Sequence, residues 1–496
     1  MKRIGTIRNR YTLRDSRVVF PLYATLAAFL ASTALAPFSA QAQANPGSAQ
    51  NPFLGSVTLH PATAAVLPLS LDDAVRRGFE TNLGLREAEA GETSLHGQEL
   101  EAAQQFLPTI TVTGGTSVHE FNLEAQGFSP SVIGKFGALF PHGAPHISLI
   151  TKADVTTGQV NYEQTIFSGP VFNGYRAIKA AEKVAYFGKM TARGNVVQQV
   201  ATTYLAVIAA SSDVDNARAL LETDRVVYEQ AKARHAAGTT ANLDELRAQV
   251  AYQQQQQRLI ASQNQRDKTQ ILLKREIGLA PGQPIQLTDP APYSDLADLS
   301  EQALRAEAYA NRQDYQNLQA QAKANYYVLE ARRQERLPTL SFKGNYGVTE
   351  VNGAGSHGTM MAMGTLKVPL FREASLRGDS DVARAQLEGV ERQLADLRMK
   401  IDQQVRTARM DADAAHKLLD VARSSVALAD QALADETDRY TSGLDDTLPL
   451  SRAQSELASA ETNLVQALYQ YNLAKLALAR SAGVIELQYR SYLFGK

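Results

Sequence analysis

Eight histidines and no cysteine in 496 residues narrow the chemistry open to this chain. Without cysteine there are no disulfides, no thiol nucleophile, no Cys-based metal site and no lipidated N-terminal cysteine. His119, His142, His146 and His357 fall in segments that read as external loops. Two imidazoles in the flexible "PHGAPH" segment read as polar loop residues, so neither a metal nor another cofactor is expected. No Gly-rich phosphate loop occurs, and the energy for any transport step has to come from a partner. No polar residues converge as a catalytic centre requires, so an enzyme is not expected. The balance of 50 Lys+Arg against 51 Asp+Glu offers no electrostatic case for nucleic acid.

The remaining polar candidates sit at two matching turns. "ARHAAGTTANLDELRAQ" (233–249) aligns with "DRYTSGLDDTLPLSRAQ" (438–454), placing Arg234, Gly238 and Arg247 on Arg439, Gly443 and Arg452. Each Arg-x-x-x-Gly reads as a helix end, where glycine reverses the chain through positive φ. Asp445 and Asp446 precede the next helix, a place where aspartates cap. Asp244 and Glu245 read as capping and first-turn residues. The run Gln253–Gln257, on a returning helix, reads either as the wall of a wet lumen or as a solvated face.

These turns belong to a long internal repeat. "LSLDDAVRRGFETN" (69–82) aligns with "LSEQALRAEAYANR" (299–312), pairing Ala74 with Ala303 and Asn82 with Asn311. Leu107-Pro108-Thr109 recurs as Leu337-Pro338-Thr339. Each copy predicts a helix of about 35 residues (71–105, 299–335) stopped by proline. Two strands follow, about 107–117 and 158–167 in the first copy, about 338–348 and 360–371 in the second. A very long helix then runs to about 236 or 440, turns at Gly238 or Gly443, and returns as a helix of about 35 residues. The two shorter helices, end to end, match the long one. Each copy thus reads as a strand pair mounted on two rods, one continuous and one broken, with composition suited to coiled-coil packing.

The expected domain plan is a signal peptide over 1–44, an irregular lead-in over 45–68, a first repeat over 69–279 and a Pro-rich linker over 280–298. A second repeat covers 299–484 and a tail 485–496. The signal is read from the basic "MKRIGTIRNRYTLRDSR", the apolar "VVFPLYATLAAFLASTALA" and the small-residue "SAQAQA". Segment 118–157, rich in Gly and Pro, reads as a long external loop. Strands of about ten residues, alternating apolar and polar, have the length to span a bilayer. Four are too few to close a barrel, and an open edge in lipid is prohibitive. Three chains would supply about twelve strands, with the rods continuing the barrel as a helical tube. The competing reading is a periplasmic coiled-coil structural or adaptor protein whose strands form a soluble domain.

The order of "LSLDDAVRRGFETNL", the paired Leu-Pro-Thr strands, "TIFSGPVFNGYRAIKAA", "RHAAGTTANLDELRAQ" and "GLAPGQPIQLTD", over residues 69 to 485, resembles the TolC family of outer-membrane efflux proteins. The resemblance implies a mainly α homotrimer with a 12-stranded outer-membrane β-barrel, four strands per chain, continued by a periplasmic α-helical tunnel. It implies the exit duct of a tripartite efflux or type I secretion system, anchored in outer-membrane lipid. The duct would be coupled through a periplasmic adaptor to an inner-membrane transporter. Adaptor-docking tips then map onto Arg234, Gly238, Leu243, Arg439, Gly443 and Leu444. A periplasmic gate maps onto Tyr440, Asp445 and Asp446, because Gly443-Leu444-Asp445 matches the G-x-D of an acidic constriction ring. Pro449 and Arg452 depart from the acidic or aliphatic residues of many relatives.

Overall fold

The computed structural model describes residues 50–57, 61–122, 125, 150–239, 241–296, 300–442 and 447–495. The expected signal peptide and most of the expected external loop lie outside them. The first copy comprises β1 (Leu67–Leu69), α1 (Leu71–Thr81), α2 (Leu83–Gln104), β2 (Thr109–Asn122), β3 (Ile150–Phe167), α3 (Gly169–Ala236) and α4 (Asn242–Glu276). The second comprises β4 (Ile285–Leu287), α5 (Glu301–Asn311), α6 (Gln313–Gln334), β5 (Thr339–Val351), β6 (Ser356–Lys367), α7 (Glu373–Thr441) and α8 (Thr447–Ser481). A short α9 (Ile485–Phe494) closes the chain. No helix among the described residues is long and apolar enough to cross a membrane.

The rods follow from local signals. Ser168 caps α3 with Pro170 in its first turn, where proline's missing donor costs nothing. At 68 and 69 residues, α3 and α7 are each about 100 Å long. The expected 35-residue opening helices are each divided in two, at Asn82 and at Arg312. The pieces have 11 and 22 residues in both copies. Ser70 and Ser300 cap α1 and α5, so the structural offset is uniform and Asn82 matches Arg312. The expected pairings of Ala74 with Ala303 and of Asn82 with Asn311 therefore both slip by one residue. Rod matching changes accordingly: α2 lies along the start of α3 through Glu92–Lys189 and His96–Glu182, and α4 reaches the end of α3 through Tyr228–Tyr252. The short α1 is set aside at mid-rod, where Gly78 packs on Val196 and Val200.

Mid-rod is also where the core sits. Val196, Val197, Val200, Ala201 and Tyr204 of α3 are fully buried with Leu71 and Ala74 of α1, Ile401 and Val405 of α7, and Leu476 of α8. Tyr204 donates to the carbonyl of Leu69 (3.0 Å) and to Asp289 (2.9 Å), tying β1 and the linker to the long helix. The parallel β1–β4 pair joins the two copies.

The strands form one antiparallel sheet in the order β2-β3-β5-β6, with β3–β5 joining the copies. At 14, 18, 13 and 12 residues they exceed the expected ten. The alternation read from sequence holds across the register. Val112, Val160, Tyr346 and Met360 make one row of the apolar face. Thr113, Gln159 and Thr359 lie on the other face, where Glu163 also pairs with Lys343. Met361 and Met363 interrupt that polar face. β2 and β6 are exposed throughout and, among the described residues, pair only with their inner neighbours.

Candidate functional site: the helix-turn tips

At the far end of α3, three backbone bonds close the helix. Ala237 N–H donates to Ala233 O (3.1 Å), Gly238 N–H to His235 O (2.9 Å), and Thr239 N–H to Arg234 O (3.0 Å). This pattern requires a left-handed residue, and Gly238 supplies it at φ 71°. A Cβ there would meet nothing within 4 Å, so the demand for glycine is conformational and not steric. The Thr239 hydroxyl adds a second donor to Arg234 O (2.9 Å). Asp244 and Glu245 fall in the first turn of α4, as expected, but neither caps it: the N-cap is Ala241, with no side-chain cap bond.

The two tips meet through side chains. The Arg234 guanidinium lies 4.5 Å from the ring centre of Tyr440, which is itself buried at the end of α7. A cation over a desolvated aromatic face is worth roughly 1–2 kcal/mol. Of the residues expected at the site, the structure thus brings Arg234 and Tyr440 together. Leu243 is exposed at the start of α4, and Arg439 lies in the last turn of α7. Gly443, Leu444, Asp445 and Asp446 lie outside the described residues.

Beside this clasp runs a groove of about 400 Å³ lined by Val227, Leu243, Leu246, Val250 and Leu448, with Asp224 and Arg247 among them. Asp224 is only 6 % exposed, and burial pushes its carboxyl up to about 6. Sequence reading missed it. The signal was present: Ala217, Leu220 and Ala231 mark the buried stripe of α3, and Asp224 occupies a place in it. The run Gln253–Gln257 lies within α4, and Gln254 lines this groove.

The comparisons agree with this architecture. The family model described as outer membrane efflux protein matches residues 74–279 and 304–484. No curated protein sequence matches the chain. A membrane protein from Pseudomonas aeruginosa has a similar fold, with TM-score 0.72 at 18 % identity over 83 % of this chain and 93 % of that one. The Campylobacter jejuni CmeC outer membrane channel gives 0.70 at 15 % identity over 90 % and 94 %. The open-state Neisseria gonorrhoeae MtrE outer membrane channel gives 0.66 at 16 % over 91 % and 98 %. The barrel-less periplasmic alternative is not favoured, because it leaves the open-edged sheet and its apolar face unexplained. Two family segments, a four-stranded contribution to a barrel and a helical tunnel lead to one conclusion: the chain belongs to the outer membrane efflux protein family, passive channels of the outer membrane that extend into the periplasm.

Proposed function

We propose that three copies of this chain form the exit duct of a tripartite efflux or type I secretion system, gated at its periplasmic tips. The observation that carries the reading is the four-stranded sheet, whose two unpaired edges, β2 and β6, flank an apolar face. In lipid those edges need partners, and three chains supply a closed ring of twelve strands. Substrate passes through without chemistry, driven by an inner-membrane pump. A periplasmic adaptor docks at the tips, against Arg234, Gly238, Leu243, Arg439, Gly443 and Leu444.

In this reading Tyr440, Asp445 and Asp446 close the tunnel. Three copies of Asp445 around the axis repel anions and attract cations, including divalent ones. The Arg234–Tyr440 contact supports it by holding the second tip against the first in the described chain. Single-channel conductance of the reconstituted protein is the test. Asp445→Ala should raise conductance or weaken block by divalent cations. If neither changes, Asp445 is a helix cap and the ring is not there.

A further inference from the structure

On the facing sides of α2 and α3, near the sheet, three metal-ligating side chains converge. His96 and Glu99 are three residues apart on α2, and Glu182 projects from α3. His96 Nδ1 lies 3.1 Å from Glu182 Oε1 and 3.8 Å from Glu99 Oε2. All three ligand atoms fall within 4.8 Å of one another. Ligand atoms held about 2.0–2.1 Å from a tetrahedral zinc ion stand roughly 3.3 Å apart, so modest side-chain movement suffices.

The surroundings separate this cluster from an ordinary ion-pair ladder. Further along the same two helices, Glu92 and Lys189 form a complete pair at 2.6 Å. At His96 two carboxylates face one imidazole, and among the described residues Lys179, 3.9 Å from Glu99, is the one lysine paired with them. The Tyr175 hydroxyl donates to Glu99 Oε1 (3.1 Å), as Lys179 also approaches that oxygen. Both leave Oε2 turned toward His96, which is how an outer shell orients a ligating carboxylate. Glu99 is sunk to 15 % side-chain exposure while His96 keeps 57 %, leaving a solvent-facing side for entry and for a water ligand.

We infer that His96, Glu99 and Glu182 form a binding site for a borderline divalent cation of the zinc class, three protein ligands with an open fourth position. Bound there, the ion clips α2 to α3 close to where both rods enter the sheet, once per chain. It is a structural clip set in the wall, separate from the tip gate.

The test uses the full chain, purified in detergent, stripped with a chelator and titrated with Zn²⁺ by calorimetry. A saturable component of one ion per chain is expected. His96→Ala and Glu182→Gln should each weaken it at least tenfold, while a His142→Ala/His146→Ala double variant retains it. Wild-type thermal stability should rise with Zn²⁺, and that rise should vanish in His96→Ala, whose stability without metal stays near wild type. Binding unchanged in His96→Ala, loss of binding in the loop variant instead, or no saturable component at all would each overturn the assignment.

Discussion

Asn82 and Arg312 stand at matching breaks, each between an 11-residue and a 22-residue helix, with near-identical backbones (φ −65°, ψ 129° and φ −67°, ψ 118°). Their side chains do unrelated work. Asn82 is wholly buried; it accepts from Gly84 N–H (3.0 Å) and donates to Phe53 O (2.7 Å). It is therefore both a helix cap and a pin for the N-terminal segment. Arg312 makes no cap. Its guanidinium instead grips Asp314 (3.0 and 2.6 Å) and reaches Gln404 of α7 (2.8 Å). The difference teaches that the repeat preserves a backbone path and leaves each copy free to hold it by whatever side chains its neighbours allow.

The strongest way to break the comparison lies at Gly483, which touches the second break and has φ 78°. A Cβ there would come within 2.7 Å of Arg312 N. Gly483→Val combines backbone strain with a clash against main chain, and should cost on the order of 3 kcal/mol or more. Thermal unfolding of the detergent-extracted protein would read it; a near-wild-type melting point would mean that the second break is not rigid.

Next in size are the breaks themselves. Asn82→Ala should cost about 1–3 kcal/mol, from the lost cap and an orphaned carbonyl. Arg312→Ala should cost a similar amount at neutral pH, but with a different pH dependence. Burial pushes the Asp314 carboxyl up, and hydrogen bonding to Arg312 outweighs it, holding the group below its ordinary value. A depressed carboxylate contributes stability above its unfolded value and loses it as pH falls through the folded one. The Arg312→Ala deficit should therefore shrink below about pH 4 while the Asn82→Ala deficit does not. Equal acid behaviour of the two would sink the distinction.

A further asymmetry is Glu276, at the end of α4, whose counterpart in the second copy is Ser481. Glu276 is fully buried, accepts from Gln199 and Thr203 (both 3.0 Å), and burial pushes it up to about 8. A raised carboxyl contributes stability below its unfolded value and loses it as pH climbs through the folded one. Stability should fall between about pH 4.5 and 8, and Glu276→Gln should flatten that slope while keeping both donors satisfied. Persistence of the slope in the variant would place its origin elsewhere. The smallest expected effect is at the tips. Arg234→Ala should cost at most about 1–2 kcal/mol, and Tyr440→Phe, which keeps the aromatic face, should cost less. Equal losses in the two would point to the Tyr440 hydroxyl and not the ring.

How much of this was legible in the sequence varies with the physics of each part. The strands could be read because one face must be apolar and the other wet, so Val112 and Thr113 announce their sides residue by residue. The Gly238 turn could be read because only glycine takes that backbone without strain. The break at Asn82 carried a local signal, since asparagine favours caps and its cap bond comes from Gly84 two residues on, whereas its role as a pin rests on Phe53, distant in sequence. Arg312 carries no capping signal at all. The Arg234–Tyr440 clasp joins residues from different copies of the repeat, and no local pattern marks such a pairing. Asp224 was findable as an acid in an apolar stripe. Asp445 and Asp446, the most specific gate residues read from sequence, lie outside the described residues, so the gate rests on the experiments above.

The central claim is that the open-edged sheet is completed by other copies of the same chain. The native mass of the assembly, extracted from outer membranes in mild detergent, tests it most directly. Three chains per particle is the predicted result. A monomer or dimer, or a protein that leaves the membrane without detergent, would contradict it.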